Sequence, residues 1–388
     1  MRLNLPEYVS DSLNRLIING FEAWCVGGAV RDHLMSKTPF DYDITTNATP
    51  SEVISIFDKT IPTGIKHGTV TVVTDSGNIE VTTYRADGNY SDYRTPDNVE
   101  FKNNIDDDLK RRDFTMNAIC YNHKRGLYDP LNGLNDIKNK TIRAIGDPYK
   151  RFTEDALRII RAFRFSSQLG FNIENSTKDA AVELFPLLQN ISVERIYTDL
   201  VRIVLSSHPN NSDPLFSKGA FEFLGIQKSP IPSELNKLPF VLTLRFAYLF
   251  KKIECDAERI LRNLKADNHT INETLLYSEL LDHKLPDNKT EVKYILKDYG
   301  LERLDLWLKY HESFAHNTSA VRSELNSVLN NKEPYTLKDL SINGNDLISL
   351  IEDKKSIGKV LNCLLDHVIQ NPTDNTKDKL IKIAHNIK

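Results

Sequence analysis

Two adjacent glycines followed by a pair of aspartates place the tightest constraint on what this chain can fold into. Residues 27–32 read Gly-Gly-Ala-Val-Arg-Asp after the apolar residues 24–26, and nine residues later the run 41–44 reads Asp-Tyr-Asp-Ile. Glycine lets the backbone approach a ligand closely, and N–H groups at a helix start attract phosphate. In a strand, alternation puts Asp41 and Asp43 on one face. The pattern predicts carboxylates that could hold two divalent cations about 4 Å apart beside a phosphate-accepting turn.

A β-hairpin is predicted downstream of these aspartates. Residues 69–73 and 79–83 are β-branched runs, and the residues between them include the turn Asp75-Ser-Gly-Asn78. Glu80 stands between two apolar residues of the second run. Its position makes Glu80 a candidate third catalytic acid.

The secondary-structure pattern changes near residue 150. Residues 7–20 have a helical period closed by Gly20, and strand-like runs alternate with short helices up to about residue 130. The sequence therefore predicts an α+β protein, with an N-terminal α/β head around a small mixed sheet followed by an all-α remainder. Helices are expected over 153–169, 192–207, 240–265, 270–283, 302–330 and 356–371.

Composition narrows the class of protein further. Apolar residues make up 40% of the 388 residues and charged residues 27%, which is too apolar for a disordered chain. Net charge is −6 over residues 1–100, +5 over 101–170 and −2 over 171–388. No apolar run approaches the roughly 18 residues of a membrane span. The four cysteines are widely spaced without a metal-binding pattern, so we expect reduced thiols and a cytoplasmic protein.

A basic motif lies at residues 108–118. Arg111 and Arg112 can reach a triphosphate, and Asp113 and Asn117, spaced i and i+4 on a helix, could hydrogen-bond ribose hydroxyls.

The run 151–165 carries a row of charges at helical spacing. Thr153 is a suitable N-cap, and Asp155 and Arg158 are then neighbours on the helix, with Arg161 and Arg164 extending the row. Cytosine and adenine both present an amino donor beside a ring-nitrogen acceptor. An Asp and an Arg can satisfy both groups, whereas uracil and guanine present the reverse pattern and leave them unpaired. An exposed charged face is the alternative interpretation.

Together these motifs resemble the polymerase-β-type nucleotidyltransferases and, within them, the class II tRNA nucleotidyltransferases of the short bacterial type. The resemblance extends over nearly the whole chain, because residues 192–200, 261–268 and 341–347 look like the later motifs. It implies Mg²⁺ on Asp41 and Asp43. The site residues that it implies are catalytic Asp41, Asp43 and Glu80, and nucleotide-binding Gly28, Arg31, Arg112, Asp155, Arg158, Arg161 and Arg164.

The activity implied by the resemblance is addition of CCA to the 3′ end of tRNA, from CTP and ATP and without a nucleic-acid template. It further implies a catalytic head (1–140), a neck that reads the base (141–210), a body (211–290) and a tRNA-binding tail (291–388). The partners are then tRNA, ATP and CTP, with no membrane. The oligomeric state stays open, a homodimer being one option.

Three alternatives share parts of this pattern. A bacterial poly(A) polymerase has the same head motifs but typically a longer basic tail, whereas residues 171–388 are slightly acidic here. A CC-only tRNA nucleotidyltransferase lacks the flexible segment that residues 85–96 supply. A catalytically silent RNA-binding protein would not need Asp41, Asp43 and Glu80.

Overall fold

β-branched residues in the first third of the chain build a seven-stranded mixed sheet. The computed structural model describes residues 2–88, 98–348, 350–351 and 353–387. The strands are β1 (Ala23–Val26), β2 (Asp43–Thr46), β3 (Thr60–Gly64), β4 (Thr69–Thr74), β5 (Gly77–Thr83), β6 (Arg85–Asp87), β7 (Val99–Phe101), β8 (Cys120–Asn122), β9 (Gly126–Tyr128), β10 (Thr141–Ile142) and β11 (Asn172–Ile173). The order in the seven-stranded sheet is β3-β4-β5-β2-β1-β8-β9, and within it β2 and β5 pair in parallel while the other neighbours are antiparallel.

Helices cover most of the chain after the sheet. This confirms the predicted α+β arrangement of an α/β head and a helical remainder. The helices are α1 (Glu7–Ile18), α2 (Gly28–Leu34), α3 (Pro50–Ile56), α4 (Ile105–Lys110), α5 (Gly133–Lys138), α6 (Pro148–Glu154), α7 (Leu157–Leu169), α8 (Asn175–Glu183), α9 (Val193–Val204), α10 (Asp213–Ser217), α11 (Leu242–Lys252), α12 (Ala257–Asn263), α13 (Asn268–Leu280), α14 (Lys289–Ser313), α15 (Ser319–Asn330), α16 (Gly344–Leu347), α17 (Ile357–Gln370) and α18 (Lys377–Asn386).

Strand β1 divides two apolar cores because its side chains alternate between the faces of the sheet. Cys25 belongs to the core that also holds residues of α1, α2 and α3. Trp24 and Val26 belong to the core that includes Ile105 and Leu109 of α4. The sheet is therefore covered by helices on both faces.

The local predictions for the head are largely confirmed. Helix α1 ends at Ile18, just before Gly20, whose φ of 91° is a conformation that favours glycine. Strands β4 and β5 form the predicted hairpin, with Thr74 opposite Gly77. Strands β6 and β7 pair through Arg85 and Phe101. Most of the predicted flexible segment 85–96 lies outside the described residues.

The chain divides into two compact units. One comprises Met1–Asn236 with Ile253–Ala266, and the other comprises Lys237–Lys252 with Asp267–Lys388. Helix α7 packs against α9 in the first unit. The finer division at residues 140, 210 and 290 stays a prediction.

Among the residues that the structure describes, the second unit consists of helices joined by turns and loops and has no strand. The fully buried Trp307 and Leu308 lie in one of its cores. A helix was expected from residue 302, but α14 begins earlier, at Lys289, and is bent at Gly300, where φ is 80° and ψ is 166°. In the described parts of the chain, no helix combines the length and the apolar character needed to cross a bilayer.

Candidate active site

The turn between β1 and α2 brings the backbone against two charged side chains. Gly27 has φ of 79°, which favours glycine. A Cβ at Gly27 would lie 3.5 Å from Oδ2 of Asp43 and 3.6 Å from Nη1 of Arg112. Those distances are ordinary van der Waals contacts, so it is the backbone conformation that explains why the turn is built on glycine.

The paired aspartates lie at the start of β2. Strand β2 begins at Asp43, and Asp41 lies just before it, so the strand is shorter than expected. Tyr42 and Ile44 are nonetheless buried in the core, whereas Asp41 is exposed and Asp43 half-buried. Both carboxylates line one cavity, as the alternation predicted.

Glu80 lies one strand away from the aspartates. It is the register partner of Asp43 where β5 pairs in parallel with β2, and its side chain is exposed. It is not among the residues that line the cavity. Its role as a third catalytic acid stays a prediction.

The environment of Asp43 is one that favours a cation. Burial raises the pKa of Asp43 to about 6, and the carboxylates of Asp41 and Glu80 add to that rise, while Arg112 opposes it. Among the described residues, no three His, Cys, Asp or Glu side chains group into a complete metal site. Two carboxylates still suit Mg²⁺, which binds through one or two carboxylates and takes further ligands from water and substrate phosphates.

A buried aspartate holds the two arginines of the basic motif. Asp108 is fully buried and accepts hydrogen bonds from Nη2 of Arg111 at 2.7 Å and Nη2 of Arg112 at 3.0 Å. Burial by itself would raise the pKa of Asp108, but the guanidinium groups of Arg112 and Arg111 outweigh it and lower that pKa. Asp108 therefore keeps its charge and fixes both arginines.

Asp113 and Asn117 are not on one α-helix, contrary to the prediction. Helix α4 ends at Lys110, and Asn117 lies in a 3₁₀ turn. The two side chains still meet, because Nδ2 of Asn117 donates to Oδ1 of Asp113 at 3.0 Å. The Oδ1 atom of Asn117 accepts from Nη1 of Arg31 at 2.8 Å, so the amide links Arg31 to Asp113.

The predicted helix over 153–169 is broken at Asp155. Helix α6 starts behind an Asp147 cap with Pro148 at its first position, a start signal that the sequence interpretation missed. Thr153 is in the last turn of α6 instead of capping a helix. Asp155 is extended, with φ of −137° and ψ of 103°, and its Oδ1 accepts from the amide of Leu157 at 3.1 Å.

Asp155 and Arg158 both line the cavity, but they bind other partners. Oδ2 of Asp155 accepts from Nη2 of Arg195 at 3.2 Å. Nη1 of Arg158 donates to Oε2 of Glu154 at 2.8 Å and to the carbonyl of Arg151 at 3.1 Å. Its Nη2 donates to the carbonyl of Arg111 at 2.9 Å, which ties α7 to the head.

Arg161 and Arg164 are each paired with a carboxylate. Nη2 of Arg161 contacts Oδ2 of Asp113 at 2.5 Å. Burial by itself would raise the pKa of Asp113, but the charge of Arg161 outweighs burial and holds that pKa far below its usual range. Nη1 of Arg164 contacts Oδ1 of Asp199 at 2.7 Å, both being buried. Burial lowers the pKa of Arg164 to about 10, still charged at neutral pH.

Phe165 packs under three of these arginines. The guanidinium carbons of Arg31, Arg161 and Arg164 lie 5.1, 5.2 and 4.3 Å from its ring centroid. These are cation–π distances, so the ring helps to hold the arginines in place. No role was assigned to Phe165, Arg195 or Asp199 from the sequence. The only signal in the sequence is the i+4 spacing of Arg195 and Asp199, which places both on one face of the helix predicted over 192–207.

These side chains line a cavity of about 680 Å³, a size suited to a nucleotide. Eight arginines but only four aspartates line it, so it favours an anionic ligand. The lining residues are Gly27, Gly28, Arg31, Phe40, Asp41, Asp43, Arg111, Arg112, Asp113, Asn117, Asp155, Leu157, Arg158, Arg161, Arg164, Phe165, Gln168, Arg195 and Arg202.

Three known domain families match parts of the chain. Residues 23–143 match the Poly A polymerase head domain. Residues 170–224 match the probable RNA and SrmB-binding site of polymerase A, and residues 243–384 match the tRNA nucleotidyltransferase domain 2, putative. The head family covers the turn, the aspartates and the basic motif described above.

Relatives that align over nearly the whole chain identify the family more specifically than the match of the head domain does. The CCA-adding enzyme of Staphylococcus epidermidis is 36% identical over 391 residues, covering 97% of this chain and 96% of its own. The CCA-adding enzyme of Anoxybacillus flavithermus is 36% identical, with 96% and 94% covered. A crystal structure of the Bacillus stearothermophilus CCA-adding enzyme in complex with CTP superimposes with a TM-score of 0.84, at 29% identity and with 97% and 96% covered. The resemblance predicted from the motifs is confirmed, and the chain belongs to the family of CCA-adding enzymes.

Proposed function

We propose that this chain adds C, C and A in turn to the 3′ end of tRNA, using CTP and ATP and releasing pyrophosphate. The observation that carries the proposal is one cavity in which Asp41 and Asp43 lie beside a set of arginines. Full-length similarity to CCA-adding enzymes supports the same activity. Addition without a nucleic-acid template requires that the protein itself select the nucleotide.

Asp41 and Asp43 act at the reacting atoms. They would hold divalent ions, which we assign as Mg²⁺, and such ions activate the attacking hydroxyl and neutralise charge on the phosphates. The raised pKa of Asp43 supports this assignment, since a carboxylate that is buried and also lies near Asp41 and Glu80 gains from a nearby cation. The in-line attack of the 3′ hydroxyl on the α-phosphate then displaces pyrophosphate.

The triphosphate is held on the head. Arg112 lies next to Gly27 and Asp43, and Arg31 lines the same cavity beside Gly28. Bonds from Arg112 to Asp108 and from Arg31 to Asn117 fix both guanidinium groups before the ligand arrives. Pre-fixed charges lose little conformational freedom on binding, which favours affinity.

The base is selected at the break between α6 and α7. Asp155 accepts from the exocyclic amino group of C or A, and Arg158 donates to the ring nitrogen. The three hydrogen bonds that Arg158 makes use three of its five N–H donors, so among the described residues two donors have no acceptor and can serve a base. Uracil and guanine present the reverse pattern of donor and acceptor and gain neither hydrogen bond, which disfavours them. Arg161 and Arg164 support the bound nucleotide.

The rest of the chain positions the RNA. We assign residues 1–140 to the catalytic head, 141–210 to the neck, 211–290 to the body and 291–388 to a tail that binds tRNA. The matches of residues 170–224 to an RNA-binding family and of 243–384 to a tRNA nucleotidyltransferase domain support this division of labour. Contacts to phosphates and to RNA shape would account for the binding.

One incubation tests the activity and its alternatives. The protein is mixed with Mg²⁺, a tRNA transcript lacking its last three nucleotides, and each labelled nucleoside triphosphate alone and combined. Addition that stops after C, C and A supports the proposal. A long A tail indicates a poly(A) polymerase, arrest after CC indicates a CC-only enzyme, and no transfer indicates a silent RNA-binding protein. Replacing Mg²⁺ by Ca²⁺ or removing it tests the metal assignment.

A further inference from the structure

Phe40 presents an uncovered aromatic ring at the edge of the cavity. Its residue surface is 100% exposed, although its neighbour Tyr42 is packed in the core at 6% exposure. Phe40 lines the same cavity as Asp41, which follows it in the chain. A phenylalanine gains free energy from burying its ring, so a ligand that binds beside Asp41 and Asp43 is stabilised if it covers Phe40.

The second aromatic residue of the cavity is already occupied. Three guanidinium groups, those of Arg31, Arg161 and Arg164, lie within 4.3–5.2 Å of the Phe165 ring centroid. Among the described residues that line the cavity, only Phe40 and Phe165 are aromatic. A base that needs an aromatic platform in this cavity is therefore left with Phe40.

We propose that the Phe40 ring stacks on the base of the 3′-terminal nucleotide of the RNA primer, an inference that rests on the proposed function. The 3′ hydroxyl of that nucleotide has to reach Asp41 and Asp43, and its base is attached to the same ribose. Phe40 and Asp41 line the same cavity, so a ring on Phe40 is within reach of a base whose ribose meets Asp41.

The chemistry of stacking also fits the changing primer. The base at the 3′ end differs between the first and the later additions, so a residue that supports every step has to tolerate different bases. Base–aromatic stacking is tolerant in this way, because every base has a π-face. The incoming base, in contrast, is assigned to Asp155 and Arg158, which carry the hydrogen-bonding groups needed for selection.

Steady-state kinetics provide the first test. Phe40→Ala is expected to lower kcat/KM for tRNA by about 5- to 150-fold at each addition, the usual range for removing one stacking partner. KM for CTP and ATP should stay near the wild-type value, and Phe40→Trp should restore tRNA use. Ile18→Ala is the matched control, since Ile18 is another exposed apolar residue of the head, at 81% exposure, and does not line the cavity.

A binding measurement separates stacking from a general role in folding. A tRNA ending in a fluorescent cytosine analogue, with no nucleotide or metal added, should be quenched by wild type and by Phe40→Trp but not by Phe40→Ala. A tRNA with an abasic 3′-terminal nucleotide should be used equally by wild type and Phe40→Ala. Three results for Phe40→Ala would overturn the inference. They are a loss of kcat/KM on the abasic primer as large as on normal tRNA, quenching equal to that by wild type, and a rise in KM confined to CTP and ATP.

The outcomes also separate this inference from the proposed function. If the wild-type protein transfers no nucleotide to tRNA, the proposed function fails and the inference fails with it. If the wild type adds CCA while Phe40→Ala matches it on every primer, only the role of Phe40 is refuted.

Discussion

Arg195 donates from Nη2 to Oδ2 of Asp155 across 3.2 Å and so links α9 to the break between α6 and α7. Asp155 is extended and lies outside both helices, so its carboxylate is not fixed by a regular helical turn. The amide of Leu157 binds one carboxylate oxygen and Arg195 the other. The orientation of the proposed base reader thus depends on a residue 40 positions later in the chain.

Removing that link should weaken nucleotide selection. Arg195→Ala is expected to lower kcat/KM for CTP and ATP by about 3- to 30-fold, because a partly exposed charge-assisted hydrogen bond is lost and Asp155 becomes free to turn. Incorporation of UTP and GTP should fall less. Relative incorporation of all four nucleotides is the measurement. Arg262→Ala, which breaks an exposed pair with Glu258 on α12, is the control.

Arg158 should affect selection more than triphosphate binding. Arg158→Ala removes the donor to the ring nitrogen, which is worth about 10- to 150-fold in kcat/KM at the correct nucleotides. Arg112→Ala should instead weaken binding of all four triphosphates alike. Competition assays with the four nucleotides separate the two patterns. Unchanged discrimination by Arg158→Ala would remove Arg158 from the base-reading role.

The paired aspartates should be needed for both kinds of addition. Asp41→Asn and Asp43→Asn are each expected to reduce transfer of CMP and AMP by at least about 1,000-fold, since the metal ligands are lost. Binding of tRNA, measured by filter retention or anisotropy, should stay close to wild type. A matching loss of tRNA affinity in both variants would indicate a structural role. Glu80→Gln in the same assay tests the third acid.

Asp43 should make the metal-free protein less stable as pH rises. Its pKa is raised by burial from the usual 3.8 to about 6, so the folded state holds a proton that the unfolded state releases earlier. The extra proton on Asp43 stabilises the folded state fully below about pH 4. This stabilisation is lost as pH rises to about 6, which lowers the free energy of unfolding by about 3 kcal/mol. Urea unfolding in EDTA from pH 4 to 7 measures it. Asp43→Asn should lack this slope, and an identical slope in both proteins would contradict the assignment.

Asp108 should matter for stability as well as for triphosphate binding. Asp108→Ala leaves the guanidinium groups of Arg111 and Arg112 without their shared buried partner, and breaking a buried ion pair costs about 3–5 kcal/mol. The free energy of unfolding is the measurement. Asp107→Ala is the matched control, because Asp107 is the adjacent acid on α4 and is not fully buried. Equal effects of the two substitutions would count against the anchoring role.

Much of the candidate site follows from short sequence spacings. The glycine pair, the alternation of Asp41 and Asp43, and the row of arginines on α7 each depend on residues a few positions apart, where strand and helix periods fix the geometry. The apolar pattern likewise separates the α/β head from the helical remainder. These features were predictable because local backbone geometry alone places the side chains.

The tertiary structure decided which charged side chains form ion pairs with one another. Arg161 pairs with Asp113 of the head, Arg164 with Asp199 of α9, and Asp155 with Arg195, all across 35 or more positions of sequence. No spacing rule selects among the many carboxylates such an arginine could meet. The helix break at Asp155 and the full exposure of Phe40 also depend on packing, because burial and long-range hydrogen bonding outweigh local helix propensity. The sequence alone determined which residues are candidates for the chemistry, because strand and helix periods are local. The packed fold decided which charged side chains pair with one another, because those partners lie far apart in the chain.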